Sequence, residues 1–425
     1  MDATQSRSAT MLKLAQIAAV LFIFWPQNGH AAMQITPRVS AGAEYTDNVR
    51  LSPESTDTDI ISTVTPGITL DISGRPAGLT LDYAPSYVDY ADGTYDDYWR
   101  HLATGSAWWQ PVKSTRLELS DTFLKTEDPI SDDDLTVRRT RNPYTRNTAT
   151  ARADYQLGDD NRAYVDGLYT FLENEDPAIE DSQRFGGSAG VAYWFNIRWG
   201  VDVDGEYYRA EYEESEDFTD LVGRLRLNHR FNPHFTGYVG YAHTFHDFDD
   251  DSDDFQIYDG SIGFDYAIDK TMDLGMSVHY FVRDFEDSKN QSETPVNINL
   301  SKRFQRGSIN LDGEGGYNYT TTSAENLGYY IYYRGGLSAD YAFTRRLTGD
   351  ANALYAYRDY KDTLPDRQDD VFRAGCGLSF QLLKWLSMRA GYLYRTVDST
   401  DDVNDYKENR VSLLFTVAPS QPHRF

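Results

Sequence analysis

The sequence predicts an all-β protein, a transmembrane antiparallel up-and-down β-barrel of about 20 strands (roughly 18–22). Three observations predict it. Apolar and polar residues alternate in segments of about ten residues all along the chain after its N-terminal stretch. Short turns alternate with long acidic connections. Beyond the N-terminal stretch no run reaches the roughly 18 apolar residues of a membrane helix, which excludes helical spans.

The alternation is clearest over residues 308–320. Ile309, Leu311, Gly313, Gly315, Tyr317 and Tyr319 form one set, and Ser308, Asn310, Asp312, Glu314, Gly316, Asn318 and Thr320 the other. Successive side chains point to opposite faces of a strand, so this segment has one apolar and one wet face. A soluble sandwich would alternate too. Recurrence over the whole chain, with the apolar set repeatedly ending in Tyr or Phe, points to lipid as the solvent for one face. The mean hydropathy of −0.60 agrees, because a barrel turns only alternate residues to lipid. With 14% aromatic residues the chain is too aromatic for disorder. A formal charge of −26 argues against nucleic acid as a partner. The single cysteine, Cys376, leaves no disulfide framework or thiolate metal site, and its alternation with Ala374 and Leu378 reads as lipid-facing.

The chain divides into residues 1–31, a secretory signal peptide, and 32–425, a single barrel domain. Lys13, with Arg7 behind it, is the basic region, residues 14–25 are the apolar region, and Gly29, His30 and Ala31 lead to cleavage near Ala31/Ala32. The apolar stretch is about twelve residues, short for a span, so an N-terminal anchor is the lesser alternative. Export plus a barrel pattern implies the Gram-negative outer membrane. The partners expected there are outer-membrane lipid and lipopolysaccharide, and the outer-membrane assembly machinery.

Nine short turns are expected at 73–77, 111–114, 158–161, 195–198, 232–234, 269–271, 305–307, 344–346 and 383–385. Ten longer connections, rich in Asp and Ser, fall at 49–57, 91–96, 127–142, 174–181, 213–217, 249–254, 287–292, 321–327, 361–368 and 399–403. Together they leave an even number of strands, with both chain ends on the short-turn, periplasmic side. Aromatic residues stand at both strand ends, where two membrane–water interfaces select them. Trp108, Trp109, Trp194, Phe195, Trp199, Phe231, Phe235, Phe343 and Trp385 lie near short turns. Tyr90, Tyr207, Tyr212, Phe245, Phe248, Phe285, Tyr357 and Tyr360 lie at the other end. The last strand, 409–418, alternates Val411, Leu413, Phe415 and Val417; a tail over 419–424 separates it from Phe425, leaving Phe415 as the candidate terminal aromatic of the barrel.

By parity the wet face carries Asp202, Asp204, Glu206, Arg224, Arg226, Arg230, Asp312, Glu314, Asp350, Arg358, Arg373, Arg389 and Arg395. A charge on the lipid face at mid-depth costs about 2–4 kcal/mol, so these side chains are expected to line a polar lumen of mixed sign. Nothing on that face suggests a packed interior, and about 20 strands enclose more space than side chains alone fill. A ladder of Arg–Asp pairs bracing the wall is compatible with the same residues. The longest connection holds Asp132, Asp133 and Asp134 ahead of Arg138, Arg139 and Arg141. As the third long loop it matches, in position and charge, the constriction loop of general porins; an exposed, solvated loop is the plainer reading.

The acidic run Asp249, Asp250, Asp251, Ser252, Asp253, Asp254 has carboxylates enough for calcium, yet lacks the glycine and spaced glutamate of an EF-hand loop. It reads as a solvated loop, and no metal or cofactor is expected. The histidines weighed for catalysis are His101, His229, His234, His243, His246 and His279. His243 and His246 beside Asp247 could pair imidazole with carboxylate, but placement at the membrane interface is the plainer explanation. A catalytic serine needs a base beside it, and no enzyme is expected.

The segment Ala41-Gly42-Ala43-Glu44-Tyr45-Thr46-Asp47-Asn48-Val49-Arg50-Leu51-Ser52 resembles the opening strand of a family of outer-membrane β-barrel porins, in which a Tyr-Thr-Asp-Asn element begins a series of Tyr-rich hairpins. The resemblance implies a barrel of this type. It also implies an association with exopolysaccharide biosynthesis and export systems, whose export components become expected partners. The expected function is a water-filled channel for hydrophilic solutes. A non-conducting structural or surface-interaction barrel is the alternative, and an outer-membrane hydrolase the third reading.

Overall fold

The computed structural model describes residues 32–53, 57–129, 141–249, 252, 254–285, 290–319, 327–363 and 365–425. The wall begins with β1 (Ala32–Thr46), β2 (Asp59–Ser73), β3 (Ala77–Tyr83, resuming as Ser86–Tyr90), β4 (Tyr98–Val112), β5 (Thr115–Thr126), β6 (Tyr144–Gln156) and β7 (Arg162–Asn174). It continues through β8 (Ser182–Trp194), β9 (Trp199–Tyr212), β10 (Phe218–Asn232), β11 (Phe235–Phe248), β12 (Phe255–Asp269), β13 (Met272–Phe285) and β14 (Gln291–Glu293, resuming as Val296–Phe304). It ends with β15 (Gly307–Tyr319), β16 (Tyr329–Ala342), β17 (Leu347–Tyr360), β18 (Arg367–Leu383), β19 (Leu386–Ser399) and β20 (Tyr406–Val417). Each strand pairs antiparallel with the next, and β1 closes on β20 from Val39 opposite Val417 to Thr46 opposite Arg410. The result is a closed antiparallel barrel of 20 strands.

Local chemistry sets the short turns. Asn196 Oδ1, Asn232 Oδ1, Asp269 Oδ1 and Thr344 Oγ1 each accept a backbone N–H two residues on, from Arg198, His234, Thr271 and Arg346. Such side chains mimic a backbone turn and reverse the chain in a few residues. The two interruptions fall at Pro85 and Pro295, which have no N–H to give a ladder.

Parity holds over the wall. Val203, Leu225 and Ile262 point outward, 49%, 49% and 63% exposed, as lipid-facing residues must when the surrounding bilayer is absent. Cys376 is exposed on the same outer surface. The 419–425 tail returns to the wall, where His423 and Arg424 pair with Ile35 and Gln34 of β1 and Phe425 N donates to Met33 O. The tail therefore extends the seam below β20.

The interior departs from the expectation of an unpacked lumen. At the long-loop end the inner face is packed, with apolar clusters set among buried charged residues such as Arg358 and Glu408. The connection after β1 dips inward, so that Val49 packs with Ile61, Val88, Tyr90 and Tyr98, while Leu51 packs with Ala356, Val371, Val397 and Tyr406 on β17 to β20. Leu51 is buried with φ of 51°, the left-handed region that a leucine rarely adopts. Apolar burial of both residues offsets that strain. On the opposite side, β15 parts from β14, while β16 stays paired with β17 from Tyr330 opposite Tyr360 to Ala342 opposite Thr348. Pairing of β14 with β15 ends at Ile298 opposite Gly313. Above that point the outward set of β15, Tyr317 and Tyr319, turns to the inner face of β10 to β13. There Tyr319 lies 4.7 Å from Phe218 and 4.8 Å from His246, and Tyr317 lies 4.8 Å from Phe281, between ring centroids.

The same packing corrects part of the aromatic placement. Tyr207 and Phe245, and Phe195, Trp199, Phe231, Phe343 and Trp385 at the other end, face outward. Tyr90 and Tyr360 are buried inside, Tyr212 stacks on the inward Phe218 and Phe248 meets it edge-on, and Trp108 and Trp194 hold lumen arginines. The Phe285 side chain lies outside the described residues.

Candidate functional site: the charged lumen

Adjacent strands place charged residues opposite one another on the inner face. Asp204 faces Arg224 and Asp202 faces Arg226 across β9 and β10. Arg224 donates to Asp204 Oδ1 (2.9 Å) and Glu206 Oε2 (2.7 Å). Arg226 donates to Asp265 Oδ2 (2.7 Å) and to Asn228 Oδ1 (2.8 Å), while Asn228 donates onward to Asp202 (2.9 Å). Arg226 also lies 3.5 Å from the Tyr238 ring centre. On the far side Arg389 makes a two-pronged pair with Asp350 (2.7 and 2.8 Å), and Arg334 pairs with Glu314 (2.6 Å), which also accepts from Tyr332 Oη. These pairs stay wet: Asp265 is 61% and Arg389 46% exposed at the side chain. Exposed pairs contribute little to stability, so their consequence is a lumen of fixed, ordered charge.

The remaining expected lumen residues divide by depth. Arg230 sits at the short-turn rim, 4.0 Å from the Trp194 ring centre and 3.8 Å from Asp160. Arg358 and Arg395 are buried at the packed end, and Arg373 stands directly opposite Arg395 in the ladder. Asp312 faces Gly336, where a side chain would come within 2.6 Å of its carboxylate. Of the expected constriction loop, Asp132, Asp133, Asp134, Arg138 and Arg139 lie outside the described residues. Arg141 is buried and donates to Tyr90 Oη (2.7 Å), Asp128 (2.9 Å) and Val49 O (3.4 Å), so it anchors the inward connection after β1.

Beside the Arg224 and Arg226 pairs, the β15–β16 hairpin and the inner face of β9 to β13 enclose a cleft of about 580 Å³. Its lining includes Asp202, Asp204, Glu206, Arg224 and Arg226, together with Tyr208, Tyr238, Tyr317, Tyr319 and Tyr329. The expected pairing of His243 and His246 with Asp247 is not what forms. His243 faces outward and contacts Gln256, whereas His246 faces inward with its Nδ1 2.7 Å from Asp220 Oδ1. Phe218, Phe255 and Tyr319 stack around His246. Sequence reasoning missed this pair because its members lie on different strands. Outside the membrane-spanning segments, the Arg209 guanidinium hydrogen-bonds Asp249 and holds its carboxyl below the usual range. Asp250, Asp251 and Asp253 of the acidic run lie outside the described residues. Among the described residues no group of acidic, His or Cys side chains could hold a metal ion.

Residues 315–418 match a family model described as "Putative beta-barrel porin 2". No curated protein matches the chain in sequence. Among solved structures, the FrpB iron transporter from Neisseria meningitidis superposes with a TM-score of 0.57 at 11% identity, over 91% of this chain and 81% of that one. The siderophore receptor PirA from Pseudomonas aeruginosa gives 0.53 at 8% identity, over 91% and 80%. The ferric enterobactin receptor PfeA of the same organism, as its R480A mutant, gives 0.52 at 10%, over 91% and 81%. What they share with this chain is the closed barrel. This chain is an outer-membrane β-barrel protein. In an outer-membrane barrel lipid solvates the outer residues, which is why the ion pairs collect inside.

Proposed function

We propose that the barrel is a conduit for hydrophilic solutes, porin-like, selecting by the size of its passage and by the charge of its wall. The observation that carries this reading is the row of hydrated ion pairs, Asp204–Arg224–Glu206 and Arg226–Asp265 on one side and Asp350–Arg389 on the other. The Ala41–Ser52 resemblance and the match of residues 315–418 support the same class. The proposal extends to a role beside exopolysaccharide export, supported by the tyrosines that share the lumen with charged groups, since aromatic faces and ion pairs together suit polyhydroxylated solutes. It includes no chemical step.

A second reading, a non-conducting barrel presenting its loops, is favoured by the packed long-loop end. Single-channel recording in planar bilayers separates the two. Discrete conductance steps from the purified protein support the conduit; a correctly inserted, heat-modifiable barrel that stays silent supports the alternative.

A further inference from the structure

We infer that the long-loop halves of β15 and β16, moving together with β17 to which β16 stays paired, form a hinged gate, closed in this structure and open when β15 zips onto β14. The inference rests on the conduit reading. Three features carry it.

The first is an unused edge. Residues 291–293 and 296–297 of β14 pair with β13 but, among the described residues, have no ladder partner on the β15 side above Ile298. Side-chain bonds substitute there, from Gly315 N to Asn297 Oδ1 (2.9 Å) and from Tyr333 Oη to Glu293 Oε2 (3.1 Å). Unpaired strand edges are receptive to a strand, and continuing the existing register would set Tyr319 opposite Ser292.

The second is a hinge. Gly313 pairs with Gly335 and Asp312 with Gly336 where β15 parts from β14, and Gly315 and Gly316 follow. A Cβ on Gly315 would lie 2.7 Å from Pro295 Cβ and 2.8 Å from the Tyr333 ring, so the bend admits no side chain. Glycine in a strand interior permits such a bend and the close approach of another chain segment.

The third is a latch. Arg283 on β13 lies 4.0 Å from the Tyr329 ring centre and pairs with Asp362 (3.1 Å), which also accepts from Tyr329 N (2.9 Å). One charged pair thus ties the far wall to the tip of the moving segment, where Tyr329 stands opposite Tyr319. Opening exchanges this latch and the Tyr319 contacts for backbone hydrogen bonds to β14, and it moves the hairpin off the cleft.

The test uses the full chain carrying Cys376→Ser, with heat-modifiable mobility confirming folding. Phe218→Cys with Tyr319→Cys, bridged by a short bis-thiol reagent, is expected to lock the closed state with loss of most of the current. Ser292→Cys with Tyr319→Cys is expected to form a disulfide and hold the channel open. Asp362→Asn, which leaves the cysteines out altogether, is expected to raise open probability severalfold. A 292/319 disulfide that never forms, or current that ignores both locks and the Asp362 change, overturns the gate and leaves the conduit standing. A disulfide that forms in a barrel silent in every variant keeps the hinge and removes the conduit.

Discussion

Asp47 and Asn409 stand 362 positions apart and clasp the barrel shut: the Asp47 carboxylate accepts both the backbone N–H (2.6 Å) and the side-chain amide (2.7 Å) of Asn409. Thr46 donates to the buried Glu408 (2.9 Å), and Asn48 spans to Ser52 O and Lys407 O. The Thr-Asp-Asn element thus ties the first strand to the last and shapes the turn that carries Leu51 inward. Charge-assisted bonds of this kind contribute about 1.5–3 kcal/mol. Asp47→Ala is expected to lower the unfolding midpoint in detergent by an amount in that range. An unchanged midpoint would remove the clasp from the account.

Leu51 makes a second, separable demand on the same loop. Truncation to Ala leaves a cavity among Val371, Val397 and Tyr406, a class of change that costs about 2–5 kcal/mol. Denaturant unfolding of Leu51→Ala should show that loss while the far-UV β signal stays native. Wild-type stability would mean that the connection does not dock in the lumen.

Wall charge should tune ion preference independently of stability. Arg224 balances Asp204 and Glu206, so Arg224→Gln leaves two carboxylates without their cation. Reversal potentials in a salt gradient should shift toward cations, with unfolding within about 0.5 kcal/mol of wild type, as for an exposed pair. A shift toward anions contradicts the assignment.

The Asp249 carboxyl, held low by Arg209, gives the long-loop rim a defined response to acid. A carboxyl with a depressed folded pKa contributes fully above its ordinary unfolded value, and the contribution is lost as pH falls through the depressed one. The Asp249 amide, which donates to Asp217 O (3.0 Å), should therefore keep its hydrogen-exchange protection at pH 5 and lose it in stronger acid, after correction for the intrinsic exchange rate. Arg209→Ala should move that loss to higher pH; coincident profiles would contradict the pairing.

Sequence made the wall legible because its determinants are local. Asn196, Asn232, Asp269 and Thr344 announce turns within a few residues, and period-two alternation fixes which side of the sheet Asp204 or Arg389 occupies. What filled the wall was not legible. Tyr90 and Tyr360 at strand ends look like interfacial rings, and only the inward course of distant segments buries them. Tyr317 and Tyr319 continue an outward set by parity, yet the chain bends at Gly313 to Gly316 and that face meets Phe218 and Phe281 inside. The cluster of glycines at 313, 315, 316, 335 and 336 was the available signal, and alternation alone gives it no meaning. The Asp220–His246 pair needed the register between β10 and β11, which no local pattern supplies.

If the inner charges line an aqueous path, reagents in water reach them and not their lipid-facing neighbours. Single-channel recording with Cys376→Ser as background, comparing Asp204→Cys with its lipid-facing neighbour Val203→Cys, tests it most directly. An anionic, membrane-impermeant thiol reagent should change the Asp204→Cys current in discrete steps and leave Val203→Cys untouched. Current that responds at Val203 and not at Asp204, or no current from a folded barrel, would contradict it.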